Sequence, residues 1–185
     1  MKMRIISGEF KGRLINVPKS ELIRPMTDRV RETLFNLISN SIDLNGIRVL
    51  DIYSGSGSLG LECYSRGASE VQFVEKDYRI YKNLIENIKS LDGKEKCTIT
   101  KMPALKFASV PATTAYDLIL ADPPFFKDDI YEVVNNLINN GYLHTESLMI
   151  IERSIQTKDK DITNLKSEPF KIIGDACLYK VQLAD

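Results

Sequence analysis

Asp122, Pro123, Pro124 and Phe125 follow directly on the apolar run Tyr116 to Ala121. Two prolines in a row neither donate to a strand ladder nor continue a helix, so the chain leaves a strand here on a fixed, extended path. A carboxylate and a carbonyl on such a path are two acceptors held in place. That suits one kind of chemistry. An exocyclic amine on a planar ring is a poor nucleophile because its lone pair is delocalised. Acceptors that bind its two N–H groups turn the lone pair outward, towards an electrophile. The Asp122 carboxylate and the Pro123 carbonyl would be those acceptors. Pro124 would lock the path, and Phe125 would offer a face on which the ring stacks. Phe126 reads equally as a second aromatic contact or as packing. The plain alternative is a rigid turn, and the tetrapeptide alone does not decide.

A second group sits upstream. "DIYSGSGSLG" places Gly55, Gly57 and Gly60 at G-x-G-x-x-G spacing, with Glu75 closing the next strand-like run. This is also the dinucleotide fingerprint. Asp51 separates the two readings. It lies where a pyrophosphate would rest, and two like charges about 4 Å apart at an effective dielectric near 20 repel by roughly 4 kcal/mol. S-adenosylmethionine carries no phosphate, and its ammonium and sulfonium would be attracted. Asp51 therefore favours that cofactor over NAD. Glu75 suits the ribose hydroxyls of either.

The elements that must position these groups read as follows. "MRIIS" and "RLINV" flank the turn-prone "GEFKG" as a hairpin. In "RPMTDRVRETLFNLISN", Thr27 or Asp28 caps a helix whose apolar stripe is Val30, Leu34, Leu37 and Ile38. Strands and helices then alternate. "RVLDIY", "VQFVEK", "KCTITK", "YDLILAD" and "SLMIIER" are strands. "LGLECYSR", "YRIYKNLIENIKSL" and "DDIYEVVNNLINNG" are helices, with Ile80, Leu84, Ile85 and Ile88 inward in the second. In the third, Ile130, Val133, Val134, Leu137 and Ile138 face inward before Gly141. The stretch 154–169 reads as a polar connection, and "FKIIGDACLYKVQL" as an antiparallel pair at the sheet edge. Such alternation specifies a mainly parallel sheet with helices on both faces. Ligands bind beyond the carboxyl ends of its strands, where the glycine turn, Glu75 and Asp122 all fall.

The 185 residues are 43% hydrophobic, enough for one core, and the formal net charge is zero. No global field advertises a nucleic acid. The front end is uneven, however: residues 1–31 hold eight Lys or Arg against three Asp or Glu. Cys63, Cys97 and Cys177 lie far apart with a single histidine, His144, in the chain, which argues against zinc and disulfides. His144 reads as a loop surface residue, and Cys63 and Cys177 as packing. No signal or membrane-spanning run is present, so a cytoplasmic location is expected.

The blocks "MRIISGEFKGR", "RPMTDRVRETLFNLI", "DIYSGSGSLGLECYSRGASEVQFVEKD" and "DLILADPPF" together resemble the RsmD-type bacterial 16S rRNA (guanine-N2) methyltransferases over nearly the full length. The "RP-T-DRVRE-LFN" block is the specific element. The resemblance implies a class I methyltransferase fold, α/β and Rossmann-like, with a seven-stranded sheet. Residues 1–45 would form a hairpin-and-helix extension for RNA binding or lid closure, and 46–185 the methyltransferase domain. It implies S-adenosylmethionine bound by Asp51, Tyr53, Ser54, Gly55, Gly57, Glu75 and Lys76, with Asp122 beside the cofactor and Asp122 to Phe125 catalytic. Arg24, Thr27, Arg29, Arg31, Lys11 and Arg13 would grip RNA of the small ribosomal subunit, the protein acting as a monomer without a metal. Relatives often carry an acid near the cofactor adenine after the third strand. Met102, Pro103 and Ala104 stand there, leaving the adenine to backbone groups. Tyr53 and Ser54 replace the more usual Phe and Ala. The same Asp-Pro-Pro-Phe geometry suits adenine N6 or a protein glutamine amide. An oxidoreductase and a catalytically silent RNA-binding module are the readings from other classes.

Overall fold

The computed structural model describes residues 1–18, 26–124 and 127–183. Arg24, Phe125 and Phe126 of the sequence reading lie outside them. The chain begins with the antiparallel pair β1 (Lys2–Arg4) and β2 (Leu14–Asn16), paired from Lys2 and Asn16 to Arg4 and Leu14. Helix α1 (Asp28–Ser39) follows, capped by Thr27, whose hydroxyl accepts the Val30 N–H at 3.3 Å. Alternation then sets in: β3 (Arg48–Ile52), α2 (Ser58–Ser65), β4 (Glu70–Val74), α3 (Tyr78–Ser90), β5 (Cys97–Thr100), α4 (Ala104–Ala108) and β6 (Tyr116–Ala121). After these come α5 (Asp129–Asn139), β7 (Leu143–Ser154), α6 (Lys158–Leu165), β8 (Lys171–Ile173) and β9 (Ala176–Val181).

Seven strands form one sheet in the order β5-β4-β3-β6-β7-β9-β8, parallel except that β9 runs against both neighbours. The order reverses at β3, with β4 on one side and β6 on the other. A crevice therefore opens between the carboxyl ends of β3 and β6. One apolar cluster covers the face that carries α1, α2 and α3, and a second covers the face of α4 and α5. Met3, Ile5, Phe10, Ile15, Leu34 and Phe35 share the first cluster with Val49, Phe73 and Leu118. Residues 1–45 thus build on the same core as the sheet.

Two helices differ from their sequence reading. In α1 the buried residues are Arg31, Leu34, Phe35 and Ile38, with Val30 and Leu37 only partly covered. In α3 Asn87 is buried and Ile85 is not fully so. Asn87 earns its place by bonding. Its carbonyl accepts the Asn16 N–H at 2.8 Å, and its amide donates to Asn16 O at 2.8 Å and to Ser56 O at 2.9 Å. It clamps the open end of the hairpin to the glycine turn. Leaving such groups unpaired inside would cost about 1–3 kcal/mol each. The other end of the hairpin is far away. The Phe10 N–H reaches Ser65 Oγ, and Arg13 donates to Ser90 O, at the final residues of α2 and α3.

Candidate active site

The strand-end residues β3 supplies are locked before any ligand arrives. Asp51, 1% exposed, accepts the Gly60 N–H at 2.8 Å and so ties the strand to the first turn of α2. Ser54 donates from its hydroxyl to Asp51 O at 2.6 Å and accepts the Val74 N–H at 2.8 Å, joining the ends of β3 and β4. The Ser54 hydroxyl is thus a structural tie. Tyr53, Gly55 and Gly57 all have positive φ, at 67, 56 and 82°. At Gly55 an added Cβ would meet nothing nearer than Tyr53 O at 4.0 Å, so the turn opens onto free space. At Gly57 the Cβ would strike Leu84 Cδ1 at 2.3 Å.

Glu75 sits across that space. One carboxylate oxygen accepts the Gly55 N–H at 3.0 Å and the other the Asp77 N–H at 2.7 Å. Each oxygen keeps a second lone pair, so two hydroxyl donors remain acceptable. Lys76 is exposed beside it, and nearby Lys127 lowers the Lys76 ammonium from its usual value, with burial adding to this. Past β5, Met102 is half-buried, Pro103 is exposed and Ala104 is buried at the start of α4. They offer this rim no polar side chain.

Asp122 follows β6 in register with the neighbouring strand. Ala121 pairs with Ile151, which puts Glu152 beside Asp122. Burial lifts the Asp122 carboxyl to about 7, against the downward pull of the Arg153 guanidinium. Burial also raises Glu152, and the charge of Asp122 raises it further. Its Oε2 is buried without a partner among the described residues. Asp51 is raised as well, first by burial, against its bond from Gly60, and then by Asp122 and Glu75. Pro123 is buried and Pro124 half-buried, and the Lys127 N–H closes onto Pro124 O at 3.2 Å.

Behind the turn, on the other face, lies a buried ion pair that the sequence did not disclose. Arg153 donates to Asp161 at 2.9 Å, with side-chain exposures of 1% and 0%. Tyr131 and Thr157 hydroxyls donate to the same carboxylate at 2.7 and 2.6 Å. Arg153 Nη2 and the Tyr53 hydroxyl remain unpartnered and buried among the described residues. Glu152, Arg153 and Asp161 join the site as residues the motifs missed. The strand reading "SLMIIER" was the only signal for the first two.

The proposed RNA contacts do not converge on this site. Arg31 is 1% exposed and donates to Arg4 O and to Asp28 at 3.0 Å, so it holds α1 to β1 and is not free to meet a phosphate. Thr27 spends its hydroxyl on the helix cap; Arg29 is exposed. Lys11 and Arg13 are exposed at the hairpin tip, by the far ends of α2 and α3. His144 does have a carboxylate partner, Asp117 at 3.0 Å, but at the amino-terminal start of β7 and away from the crevice. No helix of the described residues is long and apolar enough to cross a membrane.

The family described as Conserved hypothetical protein 95 matches residues 3–182. The Escherichia coli K12 protein named Ribosomal RNA small subunit methyltransferase D is 36% identical over 155 residues, which cover 84% of this chain and 76% of that one. The protein of that name from Haemophilus influenzae is 34% identical over 163 residues, covering 87% and 82%. The solved structure of yhhF from Escherichia coli superposes with a TM-score of 0.83 at 31% identity, over 98% of each chain. With an Asp-Pro-Pro turn set beside a glycine turn at the switch point of this sheet, the chain belongs to the RsmD-type family of rRNA methyltransferases.

Proposed function

We propose that the protein transfers a methyl group from S-adenosylmethionine to the exocyclic N2 of a guanine in 16S rRNA of the small ribosomal subunit, in the cytoplasm. The observation that carries this reading is the crevice itself. The Asp122-Pro123 acceptors and the open glycine turn share one edge, and the acids there have no cationic side chain paired with them among the described residues. The cofactor would supply a methyl carbon already activated by a positively charged sulfur. The chain's residues fit it: Glu75 has lone pairs for two hydroxyls, Gly55 leaves room, and acids at the edge suit a cation better than a pyrophosphate.

The chain does the rest by holding and orienting. The Asp122 carboxylate and the Pro123 carbonyl accept the two N2–H bonds and expose the lone pair. The amine held this way would take the methyl carbon the bound cofactor supplies, the sulfur leaving with the electron pair of the bond it gives up. The methylated nitrogen, now acidic, gives its proton to Asp122 or to water. Guanine N2 is hidden in a helix, so the base must come from a loop or leave its stack. Phe125, assigned from sequence alone, would receive it. The test is incubation with labelled S-adenosylmethionine and either 16S rRNA or small subunits, followed by nucleoside analysis. N2-methylguanosine is expected. N6-methyladenosine, or label in protein, would overturn the reading in favour of adenine or a glutamine amide.

A further inference from the structure

An RNA strand that delivers a base to Asp122 must lay its phosphates near the carboxyl-terminal edge of the sheet, and the hairpin tip is not there. Lys11 and Arg13 lie beside Ser65 and Ser90, at the far ends of α2 and α3. The eight residues of α2 alone rise about 12 Å from the glycine turn. Arg31 is buried.

Five exposed cations do gather at the right edge. Lys76 follows β4, Arg79 and Lys82 lie in the first turns of α3, Lys101 follows β5, and Lys127 follows the Asp-Pro-Pro turn. The ring of Tyr78, 53% exposed, draws two of them together: the Lys82 and Lys101 ammonium groups lie 4.6 and 5.0 Å from its centre. None of the five is in an ion pair among the described residues, whereas Arg4, Arg31, Arg48, Arg66, Arg153 and Lys160 all are. The acids between them are occupied. Asp77 caps α3 by accepting the Arg79 and Ile80 N–H groups, and Glu75 is turned onto Gly55 and Asp77. The mutual approach of Lys76 and Lys127 is unfavourable until an anion lies between them.

We propose that the strip Lys127, Lys76, Lys101, Tyr78, Lys82 and Arg79 is the surface that receives RNA backbone phosphates beside the reacting base. The inference rests on the reading that the substrate is RNA. Four side chains can be neutralised without touching the cofactor set, as Arg79→Gln, Lys82→Gln, Lys101→Gln and Lys127→Gln together. A Lys2→Gln, Lys11→Gln variant serves as the comparison. Binding of a single-stranded RNA oligonucleotide and of a 16S rRNA fragment is measured across a salt series, beside thermal melting.

The strip variant is expected to melt as wild type does and to lose roughly 0.7 of log–log salt slope per contact on the single strand, about 2.8 in all. The Lys2/Lys11 variant should keep the wild-type slope. An Arg79→Gln, Lys82→Gln pair alone, on the exposed face of α3, should lose about half as much and guards against a folding artefact. A wild-type slope in a strip variant that still methylates RNA would overturn the strip and leave the RNA reading standing. So would loss of binding to polyglutamate with RNA binding intact, which would assign the strip to an acidic protein segment. Wild-type protein that neither methylates RNA nor binds it in a salt-dependent way would overturn both.

Discussion

Replacing Asp122 by Asn should move stability and turnover in opposite directions. In the folded protein the Asp122 carboxyl is lifted to about 7 by burial, against about 3.9 in an unfolded chain. The folded value is raised, so the folded state holds a proton that the unfolded chain releases. Stability therefore falls as pH rises from about 4 to about 7, and the full loss persists above that. Three pKa units at 1.36 kcal/mol each set a ceiling of about 4 kcal/mol on this penalty. The charge of Asp122 also raises the adjacent Glu152, so the two groups do not titrate independently, and the expected gain for Asn is about 2 kcal/mol at pH 8. That corresponds to roughly 4–8 °C for a chain of this size. At about pH 3.5, where the carboxyl is mostly protonated in both states, the two proteins should melt alike. Turnover should do the reverse. Asn retains one acceptor but not the charge, and loss of a well-placed partner at a reacting centre costs on the order of tenfold to a hundredfold. The wild-type single-turnover rate should rise about tenfold from pH 6 to pH 8 as the carboxylate ionises, while that of the variant stays flat. The assays are thermal melting and single-turnover methyl transfer at saturating cofactor over that range. A wild-type rate flat from pH 6 to 8 would remove the Asp122 carboxylate from the chemical step, and an Asn variant no more stable at pH 8 would remove the burial penalty.

S-adenosylmethionine and its demethylated product should raise the melting temperature, by about 2.7 kcal/mol of stabilisation at a hundred times Kd, while NAD does not. Equal stabilisation by NAD would return the glycine turn to the dinucleotide reading. Arg31→Met should cost about 1–3 kcal/mol through its lost bonds to Arg4 O and Asp28, with the RNA salt slope unchanged. A flattened slope at wild-type stability would instead make Arg31 a phosphate contact. Gly55→Ala, which meets open space, should cost only about 1–2 kcal/mol of conformational strain yet weaken cofactor binding. Gly57→Ala adds the collision with Leu84 and should destabilise by a further 1–3 kcal/mol or so. Melting curves and cofactor titrations separate the two, and equal cofactor affinity in Gly55→Ala would remove that position from the site.

The parts of this molecule that were legible in sequence are those that depend on local periodicity. The alternation from Arg48 onward gave the parallel sheet, and with it the edge on which Asp51, Glu75 and Asp122 meet. Helix α4 was missed because its five residues are too short to show a period. Helix α6 was missed for a different reason: its one fully buried residue is Asp161, held by Arg153, Tyr131 and Thr157, and only Ile162 and Leu165 pack on the core, too few to show a period. Composition alone reads Arg31 as part of an ordinary solvated helix start, and the family resemblance makes it a phosphate contact; neither reading foresees burial. Its burial is decided by Arg4 O, on a strand more than twenty residues earlier. Glu152 and the His144–Asp117 pair depend on how β6 and β7 align, and neither segment states that register by itself.

The alignment of the strands also explains how a chain of zero net charge can serve a polyanion. Strand side chains alternate between faces. On the face of α1, α2 and α3 the apolar residues are Phe73 of β4, Val49 of β3, Leu120 of β6 and Ile150 of β7. Two residues further on, each of these strands carries an acid: Glu75, Asp51, Asp122 and Glu152. Burial raises the last three, and the nearest buried cation, Arg153, belongs to the opposite face and is committed to Asp161. Folding alone would favour apolar residues at such positions. Such positions suit a ligand that brings compensating charge and N–H donors, as the proposed methyl donor and base amine would. The basic residues then stand outside this pocket, on the rim from Lys127 to Arg79. Acid inside and base outside are two opposed local fields on one edge that the neutral total of the chain conceals, and on the reading proposed above each would face a different half of the substrate pair.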